Sequence, residues 1–188
     1  MPQWVPHMCS LDRSSLSSHT HYVSHRLLEG SCQCNTVRFS VSSHTPYPYQ
    51  LCACSICRKV SGHSGAINLG AVSSSLQILA GSSALRKYNA LLDRGQSSER
   101  RATSERAFCG ECGTMLWVYD VRWPELLHPF ANCIDKGLGE MEGVKMVCIM
   151  NASKPDWVRW PEGEKTVYEE YPDESIEDWH KRNGRWVE

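Results

Sequence analysis

The sequence predicts a mainly β domain of small antiparallel sheets, and three observations carry that expectation. Short runs of apolar and β-branched residues recur along the chain, and some alternate apolar with polar as a half-buried strand does. Clusters of Gly, Pro and Ser separate them, as turns separate strands. Helical patterning is confined to two brief segments, 124–127 and 174–182.

Residues 1–25 hold four of the eight histidines and six serines, with few large aliphatic side chains. Such a segment has too little apolar surface to offset its ordering entropy, so it is expected to be a flexible arm. His19, His21 and His25 could bind metal there, although a solvated tail is the favoured reading. The folded domain is expected over 26–165, followed at 166–188 by a C-terminal tail with a short helix.

Within the domain, Thr36 to Val41 alternates as a strand, Pro46-Tyr47-Pro48 interrupts it, and Tyr49 to Cys52 begins another extended piece. Ala66 to Leu69 and Leu76 to Leu79 are short strand candidates, followed by a turn at Gly81-Ser82-Ser83. Asp93 to Glu105 is polar and charged, and is expected to be an exposed loop; Gly95 and its serines argue against the alternative of a solvated helix. Ala107-Phe108 and Met115 to Tyr119 are expected strands on either side of a Cys-Gly turn. Met146 to Met150 is apolar throughout, the mark of a strand buried on both faces.

Net charge is −1, so no basic surface points to a nucleic-acid partner. No apolar run approaches the roughly 20 residues of a membrane span. The N-terminus lacks the apolar core of a signal peptide. A cytoplasmic protein acting on a small molecule is therefore expected, and oligomeric state is not legible.

Ten cysteines need another explanation in a reducing compartment, and their C-x-C and C-x-x-C spacings point to metal rather than disulfides. Cys32 and Cys34, two apart on an extended segment, would project to one face. Cys109 and Cys112 would converge across a knuckle in which Gly110 and Gly113 permit the turn and offer N–H groups to the sulfurs. Together they make a closed four-thiolate structural site. Cys52, Cys54 and Cys57 remain, and three protein ligands with one vacant position is the arrangement of catalytic zinc. His63 could instead fill that position and close the site. All-thiolate ligation favours zinc, with iron and copper(I) chemically open. Cys148 reads as a buried small hydrophobe and Cys133 as packing, with a pocket-facing thiol as its alternative.

Leu28 to Cys34, Cys52 to Gly62 and Phe108 to Gly113, with a later Ala152 to Trp157, resemble the glutathione-dependent formaldehyde-activating enzyme family, which also includes centromere protein V. The resemblance covers about 27–165. It implies a β-tent fold built around two zinc sites, with Cys32, Cys34, Cys109 and Cys112 structural and Cys52, Cys54 and Cys57 on the reactive zinc. It also implies formation or cleavage of S-hydroxymethylglutathione, a carbon–sulfur lyase reaction with glutathione or another thiol as substrate. The chain departs from the family pattern in its arm, around 93–100, and at His63-Ser64-Gly65. The alternative is a non-catalytic, zinc-stapled binding module of the centromere protein V type, which should carry a basic arm that this chain lacks.

A zinc-bound thiol is deprotonated and nucleophilic at neutral pH. Arg58 and Lys59, directly after Cys57, could receive a substrate carboxylate or form an exposed, solvated pair. His63 and Trp157 are further candidates at the substrate site. Trp117, Trp123, Trp157 and Trp160 could line a pocket, although strand aromatics are more often core.

Overall fold

The computed structural model describes residues 25–188. The arm expected at 1–25 therefore lies outside the described residues apart from His25, as do His19 and His21. In chain order the strands are β1 Arg26–Ser31, β2 Arg38–Ser43 and β3 Gln50–Cys52, then helix α1 Ser55–Ser61. β4 Ala66–Asn68, β5 Ala71–Val72, β6 Gln77–Ala80, β7 Leu85–Leu92, β8 Arg100–Cys109 and β9 Met115–Tyr119 follow. The chain ends with β10 Leu126–Pro129, β11 Ile134–Lys136, β12 Met146–Ile149, β13 Lys165–Val167 and helix α2 Ile176–Arg182.

These strands form three sheets, ordered β11-β1-β2-β6, β5-β10-β9-β8-β7 and β13-β12-β3-β4. The first two are antiparallel throughout. The third departs from the expectation, because β12 runs parallel to both β3 and β13. That position explains the unbroken apolar run of β12. With a strand on each side, Val147, Cys148 and Ile149 are all buried.

The core lies where the sheets meet. Phe39 from β2 and Trp117 from β9 meet edge to face with ring centroids 5.1 Å apart, joining the first sheet to the second. Leu28, Val41, Leu116 and Phe130 fill the space around them and are fully buried. Trp117 is thus core, whereas Trp123 is 49% exposed under the Arg122 guanidinium.

Two expected elements are corrected and one unexpected helix appears. The loop expected over Asp93 to Glu105 shrinks to 93–99, because β8 begins at Arg100 and pairs along β7. Strand formation there rests on cross-strand partners such as Lys87 and Glu105, 2.7 Å apart, rather than on an apolar face. The helix expected at Pro124 to Leu127 is instead a turn leading into β10, with the Leu126 N–H donating to the Trp123 carbonyl. Helix α1 escaped notice because one buried side chain, Cys57, leaves it without apolar periodicity.

β13 crosses the division drawn at 165, and α2 packs onto the domain. Ser175 caps α2 by accepting the Asp178 N–H, with Glu177 and Asp178 in the positive first turn. Trp179 packs at a tilt against Tyr49 with ring centroids 4.6 Å apart, and the Val187 N–H donates to the His44 carbonyl. None of the described helices is long and apolar enough to cross a membrane.

Candidate metal centres

Two groups of cysteines converge among the described residues, and they are the groups that the spacing separated. The sulfurs of Cys32, Cys34, Cys109 and Cys112 lie within 4.8 Å of one another, as do those of Cys52, Cys54 and Cys57.

The first group forms where two tight turns meet. Cys32 and Cys34 are not on an extended segment, as the spacing suggested. They lie in the turn after β1, which Asn35 closes with a left-handed backbone (φ 58°) and an N–H to the Cys32 carbonyl at 2.8 Å. The knuckle after β8 closes when the Gly113 N–H donates to the Cys109 carbonyl at 2.8 Å, with Gly113 at φ 76°. A side chain at that φ would be strained, so the glycine is required by the turn. The glycine N–H groups do not serve the sulfurs, contrary to expectation. Gly110 donates to the Ala84 carbonyl and Gly113 within the knuckle, while the Val37 N–H reaches Cys32 Sγ at 3.2 Å.

Four thiolates at Zn–S of about 2.3 Å around a tetrahedral ion stand roughly 3.8 Å apart. The separations Cys32 to Cys34, 3.5 Å, and Cys34 to Cys109, 3.9 Å, bracket that value. The group therefore fits a tetrahedral ion. Cys32 and Cys109 are buried, and Cys34 and Cys112 are exposed. Burial pushes Cys32 up to about 11, while the Thr114 hydroxyl and backbone draw Cys112 down to about 5.

Sequence reading missed the hydroxyls around this group. Thr36 Oγ1 is 3.1 Å from Cys34 Sγ, and Thr114 Oγ1 is 3.2 Å from Cys112 Sγ. Each threonine follows its cysteine by two residues, and that spacing was the available signal.

The second group is assembled by β3 and α1. Cys52 ends β3, Cys54 is the residue that caps α1, and Cys57 lies one turn into the helix. The Cys54 sulfur accepts the Cys57 N–H at 3.4 Å, doing for this helix what a serine hydroxyl commonly does. Cys52 and Cys57 are buried, and Cys54 is half-buried. Without a cation the three sulfurs share protons unequally. Hydrogen bonds from Cys52 and Cys57 hold Cys54 well below an ordinary thiol, while bonding to Cys54 raises Cys52 to about 11. Cys57 is raised by Cys52, by Cys54 and by burial. Such mutual dependence suits a cation that stabilises all three as thiolates.

No histidine or carboxylate of the described residues joins the trio. His63, the candidate fourth ligand, is exposed, with Nδ1 2.8 Å from Ser64 Oγ and its ring 5.9 Å from Trp157. Trp157 is itself 65% exposed, and Lys59 points into solvent on α1. Arg58 turns inward: its Nη1 donates to the Ala53 carbonyl and, at 2.7 Å, to the Ser153 carbonyl. It thereby ties the loop after β12 to the backbone between Cys52 and Cys54.

The remaining thiols are buried. Cys133 donates to the Leu116 and Phe130 carbonyls and is pushed up to about 12 by burial, and Cys148 is fully enclosed. Cys133 is therefore a packed, protonated thiol rather than a pocket-facing one.

A family model described as glutathione-dependent formaldehyde-activating enzyme matches residues 27–170. A Halomonas elongata protein that carries this name provisionally is 46% identical over 160 residues, covering 84% of this chain and 97% of its own. A crystal structure of a Rhodobacter sphaeroides protein matches with a TM-score of 0.48 at 21% identity, over 64% of this chain and 98% of that one. With 144 of its 188 residues inside the family match and a near-full-length relative bearing the family's name, the chain belongs to the glutathione-dependent formaldehyde-activating enzyme family.

Proposed function

We propose that the protein is a carbon–sulfur lyase-like enzyme that binds a small thiol, glutathione or a relative of it, at a zinc held by Cys52, Cys54 and Cys57. Cys32, Cys34, Cys109 and Cys112 hold a second, structural zinc. The observation that carries the reading is the difference between the two groups: four converging sulfurs complete a tetrahedron, and three leave a position for a substrate.

Zinc bound by the trio would supply a lowered thiol pKa and a stabilised leaving sulfur. The chain's own residues do the rest. Helix α1 and β3 fix the three sulfurs from two rigid elements, and Arg58 holds the backbone between Cys52 and Cys54 through two carbonyls. Lys59, exposed on α1, is placed to attract an anionic substrate as it approaches. His63 and Trp157 form an exposed aromatic rim that a substrate carbon chain would pack against.

The family and the relative both carry the name of an enzyme, which does not favour the alternative of a zinc-stapled binding module. Cobalt in place of zinc tests the proposal. Adding glutathione should shift the absorption bands of the three-cysteine site and leave those of the four-cysteine site unchanged. Unchanged bands across a panel of thiols and carbonyl compounds would reject it.

A further inference from the structure

His25 and His44 face each other at the open end of the β1–β2 hairpin. Arg26 pairs with Ser43 in antiparallel register, so the residue before β1 stands opposite the residue after β2. The Nε2 atoms of the two rings are 2.9 Å apart. The Cys32/Cys34 turn closes the other end of the same hairpin, roughly 20 Å away along strands of six residues. Neither histidine belongs to the cysteine groups.

Val187 and Trp186 fix the His44 ring. Its Nδ1 lies 2.8 Å from the Val187 carbonyl, and the Val187 N–H returns to the His44 carbonyl at 3.0 Å. Trp186 lies flat against the ring, with centroids 4.5 Å apart and planes 3° from parallel. A carbonyl only accepts, so the proton is on Nδ1 and the lone pair on Nε2. A backbone carbonyl on one ring nitrogen is also what orients a histidine that ligates a metal through the other. His25, the ring that this Nε2 meets, is exposed.

The two rings do not meet head-on. A straight N–H···N bond in the plane of both rings would hold their centroids roughly 5 Å apart. They are 3.9 Å apart, with planes at 68°. Two imidazoles on adjacent corners of a square-planar or tetragonal ion, with bonds of about 2.0–2.1 Å, would hold their nitrogens roughly 2.9 Å and their centroids roughly 4.5 Å apart. A tetrahedral ion would need the nitrogens roughly 3.3 Å apart. The nitrogen separation thus suits Ni(II) or Cu(II) better than zinc.

We propose that His25 and His44 form a metal site, distinct from both cysteine groups, that takes a divalent ion of the Ni(II) or Cu(II) type through the two Nε2 atoms. An ion there clips the start of β1 to the end of β2 and, through Val187, to the C-terminal segment. The rival is a hydrogen bond between the rings alone, which holds the pair together and binds no ion.

Calorimetric titration of the zinc-loaded full chain with Ni(II) tests this, with the zinc content measured before and after. Ni(II) is the probe because, unlike Cu(II), it does not oxidise thiols. The wild type should take up Ni(II) without releasing zinc. His25→Gln and His44→Asn should each weaken that uptake at least about tenfold, since even the outer partners of metal-bound histidines are worth as much. Asparagine keeps a donor near the Nδ1 position for the Val187 carbonyl, which favours folding of His44→Asn. Should that variant not fold, His25→Gln, at an exposed position, gives the same reading. The double variant His19→Ala/His21→Ala should still take up Ni(II), because the pair itself holds the ion. No uptake by the wild type, zinc release in step with uptake, or unchanged uptake in folded single variants overturns the inference. A loss confined to the double variant puts the ion on the arm and overturns it as well.

Discussion

The Gln33 N–H donates to Thr114 Oγ1 at 3.0 Å, joining two turns 81 residues apart in the chain. The same oxygen lies 3.2 Å from Cys112 Sγ. One threonine therefore fixes the Cys32/Cys34 turn against the Cys109/Cys112 knuckle before any ion arrives. Thr114→Val keeps the shape and removes the hydroxyl. It should cost about 1 kcal/mol in denaturant unfolding, the usual worth of such a bond. It should also speed loss of metal from the four-cysteine site to a chelator, with thiol binding at the trio unchanged.

Gly65 lies against the backbone of Cys52. A Cβ at Gly65 would stand 2.0 Å from the Cys52 carbonyl oxygen, and its φ of +125° is one that other residues rarely adopt. Gly65→Ala must therefore push β4's approach away from the end of β3 and displace Cys52. The expected result is a loss of about 1–3 kcal/mol in stability together with weakened metal binding at the trio. The four-cysteine site should keep its ion, and metal analysis of the purified variant checks this.

Stability should fall as pH drops below about 6.5, the ordinary histidine value from which burial lowers both His128 and His180. Each donates through Nδ1 to a backbone carbonyl, His128 to Leu69 and His180 to Ile176. His180 Nε2 is buried without a partner, so a second proton there would place a charge in the core. A folded pKa below the unfolded one means that the unfolded chain binds more protons in this window. The contribution is therefore complete above about pH 6.5 and is lost on acidification, by up to about 1.4 kcal/mol per pH unit for each group. Thermal melts between pH 7.5 and 5.5 should show the decline, and His180→Gln should flatten it. An equal slope in the variant would exclude His180 as a source of the decline and leave it to His128.

Much of the site was legible because thiolate spacing is a strong local signal. The division of seven cysteines into four and three needed only the sequence, and the structure brings the same groups together. The strands around them followed from apolar alternation, as at Val37, Phe39 and Val41. What escaped depended on tertiary neighbours. The polar half of β8 is a strand because β7 lies beside it, and α1 is a helix because Cys54 caps it.

Metal content before and after a mild chelator challenge tests the central claim, that the seven cysteines make two unequal sites. The wild type should hold two zinc ions per chain, lose one readily from the trio and stay folded, then lose the second only as it unfolds, because metal binding at a closed site is folding energy. Cys54→Ser should retain one ion and a cooperative melt, and Cys109→Ser should yield little folded protein. A single zinc per chain in the wild type, or two ions that leave together, would contradict the account.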